Sequence, residues 1–250
     1  MRKLPQLLLI CAFILVSFSD ENTATTYWFK STNNKGYISI KKFENKDNQH
    51  VLKTTVNAFF GDEKLDFSLA TTSNTRKLAN ASKIEFDGTI DSNIKPVVYT
   101  GERVKFNSSA SYWNFTGDFK SDITTDEEVN QFLEPHHKTM IRMPKYTIPS
   151  FNIWAIVPEL PFSKKEGTFR FNSLDETKLY VRQNQVISYM GKEVLEIEGI
   201  KQLTHKFSHQ GKNSITSYYW VNENRELVKI LLDEEYEFVR STKKEALKNR

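Results

Sequence analysis

Much of the chain alternates apolar and polar residues with a period of two, the pattern of strands that send every other side chain to one face. Leu52, Thr54, Val56, Ala58 and Phe60 oppose Lys53, Thr55 and Asn57. Leu65, Phe67 and Leu69 share a face against Asp66 and Ser68, and Ile84 and Phe86 alternate with Lys83, Glu85 and Asp87. Val104 and Phe106 are assigned a core face against Arg103, Lys105 and Asn107. Trp113, Phe115, Gly117 and Phe119 form a heavier aromatic stripe, in which Gly117 marks a bulge or a close backbone approach. In the C-terminal third, Phe169 and Phe171, Leu179 and Val181, and Leu195 and Ile197 take inward positions, while Leu203, His205 and Phe207 share a face. Tyr218 and Trp220 end a further strand, Glu226 to Leu232 returns antiparallel, and Tyr236 and Phe238 lie on the last strand. Turn signals at 33–36, Gly61-Asp62, Asp87-Gly88, Gly101, Gly191-Lys192 and 222–224 separate the runs. The pattern predicts an all-β fold with one or two short helices, a curved antiparallel meander that hides its edges by closing into a barrel or half-barrel.

Two stretches break the alternation. Thr124 or Thr125 before Asp126, Glu127 and Glu128 reads as a capped helix start, Val129, Phe132 and Leu133 follow at helical spacing, and Pro135 stops the run, which predicts a helix near 125–134. Residues 140–162 read as an irregular apolar crossover containing Pro144, Pro149, Pro158 and Pro161. Within it, Pro149 to Val157 has room for two helical turns presenting Phe151, Trp154 and Ile156, either as a lid over a ligand cavity or as core filling.

The N-terminus changes the picture from architecture to compartment. Arg2 and Lys3, an uninterrupted apolar core from Leu7 to Val16, the small-x-small run Ser17-Phe18-Ser19 and an abrupt polar turn at Asp20 read as a cleavable signal peptide over 1–19. The apolar core falls short of the ~20 residues a membrane-spanning helix needs. The one cysteine, Cys11, lies within this segment, preceded by Ile10 rather than by the small residue that lipid attachment requires. Cleavage therefore leaves a thiol-free chain without disulfides or thiolate metal sites, expected in the periplasm or secreted. Losing Arg2 and Lys3 leaves 33 basic residues against 31 acidic ones, a net +2, and no basic run suited to nucleic acid. Residues 20–242 are read as one domain, and 243–250 as a frayed basic tail.

Candidate chemistry is sparse. No phosphate loop, nucleophile elbow, zinc-binding His-Glu-x-x-His or calcium loop occurs, so no catalytic residue, metal ligand or cofactor is assigned. His136 and His137, beside Glu134, are the one pair that suggests a loop-assembled hydrolytic site, although adjacent residues point apart. His205 and His209 on one strand stand roughly 13 Å apart, too far to share a metal. Asp233–Glu235 and the series Glu193, Glu196 and Glu198 read as solvated, edge-protecting charges. The aromatic surplus is more suggestive. Trp113, Phe115, Phe151, Trp154 and Trp220 are candidate lining residues for an apolar ligand in a curved sheet.

The apolar Trp-containing turn ending in Leu160-Pro161, the Gly167-led strand, the run Gly191 to Ile197 and the Tyr219-Trp220-Val221-Asn222 hairpin into Leu227 to Ile230 carry a resemblance. Across roughly 145–240 the chain resembles an uncharacterised family of exported bacterial β-proteins, distantly similar to the half-barrels that carry lipids between membranes. The resemblance implies a barrel-like sheet and an envelope location, and transfers no catalytic residue. Three functions follow as expectations: a non-enzymatic envelope protein that binds lipid, another amphipathic ligand or a protein partner; a hydrolase centred on His136 and His137; and an outer-membrane barrel, which the charged strands and the C-terminus disfavour.

Overall fold

The computed structural model describes residues 24–75, 80–90, 97–118, 138–212 and 214–248. The export segment, the helix expected near 125–134, Phe119 and the His136–His137 pair lie outside these residues.

Among the described residues, fifteen strands form one sheet that nearly closes into a barrel. The first half runs through β1 (Thr25–Ser31), β2 (Gly36–Glu44), β3 (His50–Phe60), β4 (Glu63–Ser73), β5 (Lys83–Thr89), β6 (Val97–Phe106), β7 (Ala110–Asp118) and β8 (Lys138–Pro144). The second runs through β9 (Thr147–Pro149), β10 (Thr168–Asp175), β11 (Tyr180–Ile197), β12 (Ile200–Gln210), β13 (Ser217–Asn222), β14 (Leu227–Leu232) and β15 (Tyr236–Ser241). The first half is an antiparallel meander. The second is one from β10 to β15, but β9 joins β10 in parallel, because the chain between them passes through residues 150–167 instead of a hairpin. Antiparallel pairing of β1 with β15 joins the halves, so the edges of the whole sheet are β8 and β9. These two edges are consecutive in sequence, separated only by Lys145 and Tyr146. The Lys145 amide donates to Ser109 O (2.8 Å), and Asn172 donates to Tyr146 O through its amide (3.0 Å) and to Lys145 O through Nδ2 (2.9 Å). The short linker thus ties both edges at one corner, while no ladder pairs β8 with β9 among the described residues.

Inward positions of both halves converge on one apolar core that includes Phe29, Ile38, Leu52, Val56, Phe67, Phe86, Phe115, Phe207 and Phe238. The barrel is not hollow. Residues 150–159 form a 3₁₀ turn, the short helix α1 (Ile153–Ile156) and a second 3₁₀ turn, and Asn152 through Pro158 are all buried inside the sheet. Of the two roles expected for this segment, it takes core filling.

Several local expectations are corrected. Gly88 and Gly101 lie within β5 and β6 rather than in turns, each opposite an aromatic residue, Phe67 and Phe115 respectively. A Cβ on Gly101 would lie 2.3 Å from the Phe115 ring, and one on Gly88 2.3 Å from Phe67 Cα. Gly117 makes the close approach its position suggested, facing Tyr99 across β6. Gly101 is a notch for the Phe115 ring, while Gly88 and Gly117 let the neighbouring strand's backbone approach at Phe67 and Tyr99, and turn propensity gave way to that packing. A one-residue bulge between Arg103 and Lys105 shifts the period of β6, so Val104 and Phe106 leave the core and are 51% and 60% exposed.

Gly191 likewise sits at a bulge inside β11, with φ +124, and the hairpin turn falls at Glu198-Gly199, both at positive φ as a two-residue type I′ turn requires. The bulged hairpin coils back over the outside of the barrel. Leu195 and Ile197 therefore pack outward against Trp220, Val228 and Tyr218 in a separate small cluster, and Glu198 reaches Lys30 of β1 at 3.1 Å. The C-terminal tail is ordered through Lys248: helix α2 (Lys243–Leu247) is capped by Thr242 Oγ1, which accepts the Glu245 amide, and it buries Ala246 completely.

Candidate functional site

Four of the five aromatic residues singled out from the sequence come together. An unbroken path of ring contacts runs Trp113–Phe115–Tyr99–Phe86–Phe67–Phe151–Trp154, with centroids 5.0–6.2 Å apart. It crosses the inner faces of β7, β6, β5 and β4 and ends on the internal helical segment. Trp220 does not join it. It faces outward, donates from Nε1 to Glu193 at 2.9 Å, and lies beneath Lys206 and Lys229.

At the corner where the sheet edges meet, the ring path opens to the surface in a cleft. Its floor is Trp113, Met143, Ile148 and Leu174, and its rim carries Arg103, Phe106, Lys145 and Tyr146. The enclosed space is about 40 Å³, room for a few water molecules at roughly 10–15 Å³ each. Trp113 Nε1 is held by Ser111 Oγ at 3.0 Å, and Arg103 donates to Asn80 Oδ1 at 2.7 Å. Arg103 makes no ion pair with a carboxylate among the described residues, and partial burial lowers its affinity for its proton. The cleft is thus apolar below and cationic at the lip.

The internal segment, which starts directly after Pro149 of the cleft wall, is clasped by polar groups at three points. At its start, Glu176 is fully buried; its carboxylate accepts the Ser150 hydroxyl and the Phe151 amide (3.3 Å), while its backbone carbonyl accepts Tyr99 OH at 2.7 Å. Burial pushes the Glu176 carboxyl up to about 8, against the lowering effect of those hydrogen bonds, with Asp175 adding a smaller upward push. In the middle, the Trp154 side chain hydrogen-bonds Tyr219. The Tyr219 hydroxyl lies 3.1 Å from His209 Nδ1, and His209 Nε2 lies 3.2 Å from Gln185 Oε1. An amide oxygen only accepts, so Nε2 carries the proton and Nδ1 accepts from Tyr219. Burial, assisted by Arg182, lowers the His209 imidazole to about 4, which keeps it neutral. At the end, Arg225 Nη1 donates to Pro158 O (3.2 Å) and Leu160 O (2.7 Å), and its guanidinium stacks on Phe162 at 3.9 Å. The opposite contact of Phe162 is His205, 3.5 Å away, whose nitrogens meet Tyr189 OH (3.0 Å) and Glu223 Oε1 (3.1 Å).

Three hydroxyls in this set meet a base, Ser150 at Glu176, Tyr219 at His209 and Tyr189 at His205, and no set of three His, Cys, Asp or Glu side chains among the described residues is arranged to hold a metal. The arrangement offers an apolar floor under a cationic lip. Sequence reasoning missed Glu176, Arg103 and the role of His209. Glu176 lies in the polar run Asp175-Glu176-Thr177-Lys178, which resembles any exposed turn, and only the crossing of β10 over the internal segment buries it. Comparison with known proteins returned no matching family model, curated protein or solved structure.

Proposed function

We propose that this is an exported, non-catalytic envelope protein that binds an amphipathic ligand at the seam cleft, with the ligand's polar end at Arg103 and Lys145 and its apolar end on Trp113 and Ile148. The observation that carries the reading is the meeting of an aromatic path with positive charge that has no carboxylate partner among the described residues, at the corner where the sheet edges approach. Apolar pockets with a few convergent polar groups are the usual form of ligand sites. The cleft is shallow as it stands and receives the end of an acyl chain on Trp113, Met143, Ile148 and Leu174; residues 150–159 fill the barrel beyond it. A barrel that spans a membrane fits less well: outward positions of β3–β5 are Lys53, Asn57, Asp66, Glu85 and Asp87, and the interior is apolar, the inverse of the arrangement that lipid requires.

Native mass spectrometry of protein purified from its own organism is the test. The expected result is a copurifying amphiphile that is weakened or lost in Arg103→Ala. Delipidated protein whose thermal stability is unchanged by every fatty acid and phospholipid offered sinks the reading, because a ligand that binds only the folded state must stabilise it.

A further inference from the structure

The rim of the seam cleft has a second property that ligand binding does not need. Val104, Phe106 and Tyr146 are 51%, 60% and 65% exposed, and Arg103, Lys105 and Lys145 are interleaved with them. Arg103 lies over Phe106 (5.7 Å) and Lys145 over Tyr146 (4.9 Å). Residues 103–113 and 141–149, which build this corner, contain four basic residues and no acidic one, with Glu102 just before Arg103 on β6, in a chain whose charges otherwise nearly balance. Among the described residues, neither Arg103, Lys105 nor Lys145 is within ion-pair distance of a carboxylate. Exposed aromatic side chains beside unpaired cations combine the two features that seat a protein on an anionic bilayer: amphipathic rings at the headgroup level and attraction to the surface potential.

The projection of this corner is built in. The β6 bulge turns Val104 outward, the Asn107 side chain holds the β6–β7 turn by accepting the Ser109 and Ala110 amides (2.9 and 2.8 Å), and Lys145 is anchored through its backbone to Ser109, leaving its ammonium free to reach outward. The β11–β12 hairpin supplies an internal contrast. It also exposes Val194 and Ile200, but there Lys192 and Lys201 alternate with Glu193, Glu196 and Glu198, so the apolar groups carry no net positive field.

We propose that the β6–β7 turn and the Lys145–Tyr146 linker form a docking surface for an anionic membrane. The inference rests on the amphiphile-binding reading, since it places the mouth of the cleft against the bilayer that supplies the ligand. The test is cosedimentation of the full protein with vesicles of phosphatidylglycerol and phosphatidylcholine, and with vesicles of phosphatidylcholine alone, at 50 and 300 mM salt. Binding is expected to the anionic vesicles only, to weaken with salt, and to fall at least tenfold in the Lys105→Glu/Lys145→Glu variant, at roughly fivefold for each cation removed. Phe106→Ser/Tyr146→Ser should weaken it as well, while Val194→Ser/Ile200→Ser leaves it unchanged. Equal binding to both vesicle types, no binding, or indifference to the charge reversal overturns the docking surface. Native mass spectrometry of the same samples reports bound lipid independently, so absence of docking by the unmodified protein with lipid bound defeats this inference alone, whereas absence of lipid with docking intact defeats the ligand reading alone.

Discussion

The two halves of the barrel build their interiors by opposite means. In the first, Phe67, Tyr99 and Phe115 each lie over a glycine of the neighbouring strand, Gly88, Gly117 and Gly101, and the rings stack across four strands. Among those rings and Trp113 only the Tyr99 hydroxyl and the Trp113 indole are polar, and both are hydrogen-bonded; the polar groups buried beside them on β3 and β4 include the small hydroxyls of Thr54 and Thr71. The second half encloses Glu176, His209, Gln185 and His205, each satisfied by partners from other strands or from the internal segment. The dry wall derives its cohesion from shape and responds to volume. The polar wall derives specificity from hydrogen bonds and responds to protons. Residues 150–159 lie between them, packing through Phe151 on Phe67 and through Trp154 on Tyr219.

The most damaging way to break this comparison is to remove the residue that touches both walls. Trp154→Ala should cost about 3–5 kcal/mol in urea unfolding, because it empties the centre and also strips Tyr219 of a donor. A loss below about 1 kcal/mol would mean that the segment is loosely held and already mobile as a plug. Next in size is the proton response of the polar wall. The Glu176 carboxyl is raised in the folded protein to about 8, so the unfolded chain releases its proton first as pH rises. Its contribution to stability is fully present below about pH 4.5 and is lost progressively as pH rises through about 8. At about 1.4 kcal/mol per unit, this amounts to a few kcal/mol once the site is allowed to relax. Glu176→Gln should flatten that alkaline decline and leave the acid limb intact. The acid limb belongs in part to His209, whose lowered value of about 4 gives the opposite sign: its contribution is present above about pH 6.5 and is lost as pH falls through about 4. Unfolding midpoints measured from pH 4 to 9 for both proteins check the two signs together.

The dry wall should answer to volume and not to pH. Gly101→Ala places a methyl group against the Phe115 ring and should cost about 1–3 kcal/mol, by the same amount at pH 5 and pH 8; a pH-dependent cost would show that the two walls are coupled through Tyr99 and Glu176. The smallest effect is expected outside the barrel. Lys30→Ala removes the partner of Glu198 at the tip of the folded-back hairpin, a partly exposed pair, and should change stability by less than about 1 kcal/mol. A larger loss would show that the hairpin and its small Trp220 cluster hold the sheet closed.

Alternation made the strands of the first half legible because a strand with one wet face repeats its chemistry every second residue, and Leu52 to Phe60 does so without interruption. It failed at Val104 and Phe106 and again at Leu195 and Ile197, and both failures lie just beyond bulges. A bulge inserts one residue without altering composition, so every later residue on that strand changes face while the letters look the same. Glycine misled for a related reason: Gly88 and Gly101 carry the same local signal as a turn, and only the ring packed from the next strand distinguishes a notch. Trp220 was grouped with the lining aromatics by type, but the side of a sheet on which a ring falls depends on register.

What the sequence determined by itself was the class of fold and the material of the core. Period-two runs admit little besides strands, that many strands must hide their edges, and the aromatic content requires a large interior. The approach of the β8 and β9 edges, the entry of residues 150–159 into the barrel, the burial of Glu176 and the cationic lip at Arg103 and Lys145 were decided by tertiary structure alone. Each depends on residues far apart in the chain meeting across a curved sheet, and neither periodicity nor local propensity encodes which strands will be neighbours or how tightly the sheet will curl.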